Sequence, residues 1–398
     1  MAGEATSLKP RRLKGHTGAA TCCISSSDRP GFVVSSGEDG FICLFDLRSQ
    51  DVVSTIDVAK GPVSSLCFKS GNDDFVYASA GTEIICLDIR MGSQSEPVEA
   101  YNYNKDEINQ ISLNSKANVL ATVDDCGDVK IIDTNQKRLC KSLRGAHSSI
   151  CSSAQFVPWK PWALITGGLD SKVALWDFSK ARKLLVMDYG VQENSNMGQC
   201  LNPAFVHSIA VPQTDKILGA SYKICAVARG DGVVDVLDLE SELRAVTKPR
   251  SNKGGGQSGN NHESGDKRIH LDYSSGGHTA AVSCVSFSTF GEKGKYLISG
   301  GNDSTVKVWN WSNRFSSVQS SLADDLAFSI DIKKKVNWLC TSPTDSENLI
   351  VCDTSKESEL FPFSVGGKGW LVFYARLPLP GFFVLLFSIF WNNLGLHL

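Results

Sequence analysis

VVSSGEDGFICLFDLR (residues 33–48), LITGGLDSKVALWDFS (164–179) and LISGGNDSTVKVWNWS (297–312) are three copies of one pattern. Each runs an apolar strand into a small-residue turn ending in Asp, then a second alternating strand closed by an aromatic residue and Asp or Asn. Period-two alternation bounded by Gly, Ser and Asp is the mark of paired strands. Upstream of each copy stands Gly-His or a near equivalent: Gly15-His16, the GAH ending at His147, and Gly277-His278. Weaker copies fill the gaps, closing their second strands at Asp88, Asp133 and Asp238. From Asp46 through Asp88 and Asp133 to Asp177 the steps are 42, 45 and 44 residues.

A step of about 40 to 45 residues with these signatures resembles the WD40-repeat family. The resemblance spans residues 11 to about 363 and implies an all-β fold, a seven-bladed WD40 β-propeller followed by a non-propeller apolar C-terminal tail. The family's Trp before the closing Asp survives only at Trp176 and Trp309; Phe45, Leu87, Ile132 and Leu237 take the other equivalent places. Propeller strands are buried on both faces, so an apolar replacement keeps the packing and loses only the indole N–H bond. The later steps of 61 and 72 residues imply insertions at 189–201 and at 247–267, the second a Gly-, Ser- and Asn-rich flexible loop. KVNWLCTSP, NLIVCDTS and ELFPFSV would supply three strands of blade seven, with RRLKG near the N-terminus as the fourth. The expected organisation is therefore an extension at 1–10, a propeller at 11–365 and a poorly ordered tail at 366–398.

Length and composition suit one large all-β domain or two domains of ordinary size. With 398 residues, net charge -2 and 21% charged residues of balanced sign, the chain has no basic stripe for phosphate backbones, so direct nucleic-acid binding is not expected. Apart from the adjacent Cys22 and Cys23, the thirteen cysteines sit singly in apolar stretches without a CxxC pair, which reads as reduced, structural thiols, no metal and an intracellular setting, cytoplasm or nucleus. MAGEATSLKPRRLKGH has no apolar run that could serve as a secretory signal. Cofactors are not expected either: SVGGKGW lacks P-loop spacing, and Lys333 to Lys335 read as a solvated run.

His16, Ser35 and Asp39 could be mistaken for a catalytic triad, but the set recurs as His147, Thr166, Asp170 and as His278, Ser299, Asp303. An enzyme needs one activated nucleophile in a cleft; a repeated set at equivalent blade positions fits a buried network that also takes the N–H of Trp176 and Trp309. No catalytic residues are expected. The copies around Asp125 and Asp231 lack the His, which implies that those blades rely more on packing.

Two blades end in Asp-x-Arg, at Phe45-Asp46-Leu47-Arg48 and Leu87-Asp88-Ile89-Arg90. An Arg two residues past the closing Asp emerges on the bottom face, where its five-donor group can clamp a partner's carboxylates or carbonyls. Within the WD40 family this pattern resembles the box that docks substrate receptors onto the damaged-DNA-binding adaptor of cullin-4 ubiquitin ligases, with Phe45 where Trp or Tyr is usual. The resemblance implies adaptor docking through Phe45, Asp46, Arg48, Asp88 and Arg90, with a substrate protein on the opposite rim. NPAFVHSIAV and KVNWLC add a whole-chain likeness to a member grouped with those receptors. The alternative is a general assembly platform that binds peptides or partner proteins without a ubiquitin link.

After about Val365 the repeat stops, and Phe382 to Trp391 form an apolar run of 10 residues, short of the roughly 20 needed to cross a bilayer. An anchor, an extra packed segment and an alternative transcript end compete, and the last is favoured because a patch this apolar promotes aggregation.

Overall fold

The computed structural model describes residues 10–362, apart from 50, 115, 117, 192–199, 214–215, 218–219, 248–267, 315–324 and 346. The expected tail at 366–398, nearly all of the N-terminal extension, the 192–199 part of the first insertion and nearly all of the 247–267 loop therefore lie outside the described residues.

Seven four-stranded antiparallel sheets form the blades of a propeller. Blade one shows the rule, a meander of Ala20–Ser25, Phe32–Gly37, Phe41–Asp46 and Val52–Asp57 paired in chain order. Its two middle strands are buried on both faces, and the alternation decides which neighbour each side chain meets. Val34, Ile42 and Leu44 pack against Leu66, Val76 and Leu87 of blade two. Val33, Cys43 and Phe45 pack on Ile350, Cys352 and Leu360 of blade seven.

The inner strands begin Ala20–Ser25, Val63–Lys69, Ile108–Asn114, Cys151–Phe156, Val206–Ala210, Val282–Phe287 and Val336–Thr341. The second residue of six of them donates a side-chain hydrogen bond to the first carbonyl of the next inner strand. Thr21 bonds Val63, Ser64 bonds Ile108, Asn109 bonds Cys151, Ser152 bonds Val206, Ser283 bonds Val336 and Asn337 bonds Ala20. These bonds link sheets that share no backbone ladder. His207 holds the equivalent place in blade five.

Blade seven joins the two ends of the chain, as RRLKG implied. Arg11–Lys14 pairs antiparallel with Glu357–Phe361, in register from Arg11 opposite Leu360 to Lys14 opposite Glu357. The pairing covers a sheet edge that would otherwise present unpaired N–H and C=O groups. Leu13, 3% exposed, seats the strand in the core shared with blade one.

Blade five departs most from the repeat. A helix at Leu239–Thr247 follows its third strand Val234–Asp238, ahead of the expected loop. Asp238, the strand-closing acid, doubles as the helix N-cap by accepting the N–H groups of Glu240 and Ser241 at 3.0 and 3.2 Å. Leu239 is buried, and Glu242 pairs with Arg268 of the fourth strand. A small hairpin, Lys216–Ile217 with Ala220–Ser221, also lies outside the repeat.

Candidate functional site

In blades one, four and six each polar trio is a directed chain. His16 Nε2 lies 2.7 Å from Ser35 Oγ and its Nδ1 lies 3.1 Å from Asp39. His147 repeats this with Thr166 and Asp170, both at 2.9 Å, and His278 with Ser299 and Asp303 at 2.8 and 3.0 Å. Trp176 and Trp309 donate their indole N–H to Thr166 and Ser299 at 3.0 and 2.9 Å. With the hydroxyl oxygen taken by the indole, its proton goes to His Nε2, and His Nδ1–H points to the Asp. Asp39 in turn accepts the backbone N–H of Thr17 and Phe41, fixing the turn. Ser35, Thr166 and Ser299 are 2%, 0% and 0% exposed, so no substrate reaches these hydroxyls.

The other blades solve the same turn differently. In blade three Asn104 stands in for His, donating to Asp124 at 2.8 Å and accepting from Thr122 at 2.9 Å. Asp124 holds the place of Gly37, where a side chain beside His16 would be crowded: a Cβ there would stand 2.7 Å from Nδ1. The shorter Asn leaves room for it. In blade five Arg229 holds that place, bonding Asp231 and the fully buried Asp235, which also pairs with His270. These blades thus carry polar networks of their own rather than packing alone. Blade two has a tight turn at Gly81 and Thr82 between Asn72–Ala80 and Glu83–Asp88.

Burial lowers the pKa of His147, His207 and His278, whereas the hydrogen bond with Asp235 raises that of His270. The three depressed groups contribute stability above the unfolded value of about 6.5, and it is lost as pH falls through their folded values. His270 has the opposite sign, contributing below about 6.5 and losing that contribution as pH rises through its raised value. Three against one, the melting temperature should fall between about pH 7 and about pH 5, and His270→Gln should steepen the fall. Thermal melts across that range check this; a rise on acidification would contradict the sign.

The Asp-x-Arg pair lies on adjacent blades, each at the turn from third to fourth strand, and hence on one face of the ring. Arg48 grips Asp46 through Nε and Nη2 at 2.9 and 2.6 Å, and Arg90 grips Asp88 at 2.9 and 2.5 Å. Those hydrogen bonds hold both carboxyls below the usual carboxylate range. The Arg48 side chain is 84% exposed and that of Arg90 57%. The intervening Leu47 and Ile89 point into the core. Phe45, expected among the docking residues, is 2% exposed and packs under Gly15, beneath the turn.

Two supports of this face were not legible in the repeat. Arg11 of the closing strand donates to the carbonyls of Leu47 and Ser49, both at 2.6 Å, bracketing Arg48. Asp74 lies 3.4 Å from Arg29 and 3.6 Å from Arg90, tying blade one to blade two. The Asp itself is a turn device: Asp133 and Asp177 likewise accept N–H groups two or three residues on, without an Arg. Among the described residues no group of three or more His, Cys, Asp or Glu could hold a metal ion. No helix of the described residues is long and apolar enough to cross a membrane.

Residues 8–46, 137–177 and 270–310 match the WD40 family model, "WD domain, G-beta repeat". These are the blades that carry the His-hydroxyl-Asp chain. The chain is 27% identical over 379 residues to the WD repeat-containing protein 53 homolog of Dictyostelium discoideum, covering 88% of this chain and 93% of that protein. It is also 24% identical over 173 residues to Protein NEDD1 of Homo sapiens, covering 43% of this chain and 26% of that one. Against apoptotic protease-activating factor 1 of Rattus norvegicus it is 25% identical over 301 residues, 70% of this chain and 22% of that one. The last two likenesses span a minor part of much longer proteins. Seven four-stranded blades make the chain a β-propeller, and three of its blades match the WD40 repeat, an architecture that fits a protein-interaction scaffold.

Proposed function

We propose that the chain is a substrate-recognition subunit of a cullin-4 type ubiquitin ligase, docking the damaged-DNA-binding adaptor through the Arg48 and Arg90 face and a substrate protein on the opposite rim. One observation carries this reading: two exposed guanidiniums on neighbouring blades, each held flat by its own Asp. Holding a long side chain in one geometry before binding removes much of its ordering cost. Nε and Nη2 of Arg48 are committed to Asp46, and Nη1 makes no hydrogen bond among the described residues, leaving two N–H groups for a partner carbonyl or carboxylate.

The test is recovery of the adaptor by the purified full chain. Arg48→Ala with Arg90→Ala should lower recovery by roughly tenfold or more, as for Arg anchors at interface centres. The melting temperature should not move, because exposed pairs add little to stability. Undiminished recovery by the double variant removes this mechanism. Partners that co-purify without the adaptor would instead support the general platform.

A further inference from the structure

Cys23 lies in the inner strand of blade one and Cys340 in the inner strand of blade seven, with their Sγ atoms 3.2 Å apart and the two residues 317 positions apart in sequence. The two strands share no backbone ladder. Side chains alone cross this seam, through Asn337 to the Ala20 carbonyl, Trp338 Nε1 to the Cys23 carbonyl and Ser25 to the Thr341 carbonyl. Cys340 is half-buried, whereas Cys23 and its other sulfur neighbour Cys352 are buried. A reagent from solvent therefore meets Cys340 first. The thiols of Cys126 and Cys140 are exposed, and neither lies at this seam.

We propose that Cys340 is a site of oxidative thiol modification, resolved by Cys23 into a disulfide that joins the first blade to the last. The oxidant is a low-molecular-weight disulfide such as oxidised glutathione. The Cys340 thiolate attacks one glutathione sulfur, forming a mixed disulfide and releasing one glutathione. The Cys23 thiolate then attacks Cys340 Sγ and displaces the second glutathione. The two thiol protons end on the two glutathiones, and the two electrons reduce the glutathione disulfide. Burial pushes the Cys23 thiol well up, which makes the second step the slow one. The product staples the junction that the closing strand must also hold, so it hinders ring opening.

The experiment incubates the wild-type full chain with oxidised glutathione, alkylates the remaining thiols and maps peptides with and without dithiothreitol. The expected result is a reducible link between the peptides of Cys23 and Cys340, and unfolding in guanidinium slowed by roughly tenfold or more. Cys340→Ser should abolish both, while glutathione on Cys126 and Cys140 shows that the oxidant was active. A link from Cys23 to Cys352, glutathione retained on Cys340 without a link, or an unmodified Cys340 beside modified Cys126 and Cys140 would each overturn the assignment. The wild-type map needs no substituted chain, so poor folding of a variant does not blunt it.

Discussion

Trp309→Ala is expected to cost about 3–5 kcal/mol of folding stability, the range for emptying a large aromatic site in a packed core. The ring is 0% exposed and sits in one cluster with Trp311, Phe287 and Leu297, together with Val236 of the neighbouring blade. The cavity would therefore open between two blades, where neither sheet can collapse without leaving its register. Trp309→Phe separates the two contributions, since it keeps most of the ring volume and removes the indole N–H. Ser299 would still bond His278, so only one hydrogen bond is lost, at about 1 kcal/mol. Denaturant unfolding of the three chains checks the order. A Trp309→Ala chain within about 1 kcal/mol of wild type would mean that the blade core does not hold the ring.

Removal of residues 1–14 should be more damaging still. The deletion strips the partner from Glu357–Phe361, withdraws Leu13 from the core of blades one and seven, and frees a row of backbone groups able to recruit a second chain. Self-association and loss of soluble monomer are expected, read by size-exclusion chromatography with light scattering. Leu13→Asp is the milder version, and burying an unpaired carboxylate there should cost about 3–5 kcal/mol. A truncated chain that stays monomeric and melts like the full chain would show that the ring closes with only three strands in blade seven. The deletion also removes Arg11, which brackets the Arg48 turn, so adaptor recovery should fall in any soluble fraction.

The fold was legible because burial on both faces writes itself into alternation. Blades one, four and six could be read from Ser35, Thr166 and Ser299 with their Asp and His. Blades two, three and five could be read only through the spacing of Asp88, Asp133 and Asp238, since Leu87, Ile132 and Leu237 keep packing where the Trp is gone. Blade seven followed from the need to cover an edge.

Long-range substitution was less legible. Asn104 lies 20 residues before Asp124 and His270 lies 35 after Asp235, and neither pair keeps the repeat's spacing. The helix at Leu239–Thr247 had a local signal, Asp238 followed by Glu240 and Glu242, but it lies ahead of the 247–267 insertion, in residues given no element of their own. On the face of Arg48 and Arg90, the two Arg could be read from sequence and their supports could not, because Arg11 and Asp74 reach it from a distant strand and a neighbouring blade. Phe45 stands next to Asp46 in the motif, while the pleat turns it into the core.

Arg12 and Glu357 meet although they lie 345 positions apart in the chain, which sets an order of events at the ribosome. At about 5–20 residues per second, the amino end waits roughly 17–70 s after its own synthesis before its partner strand is made. Through that interval the amino-terminal strand and the growing row of blades must be kept from pairing with anything else, so cellular yield depends on whatever shields the nascent chain as well as on the finished molecule.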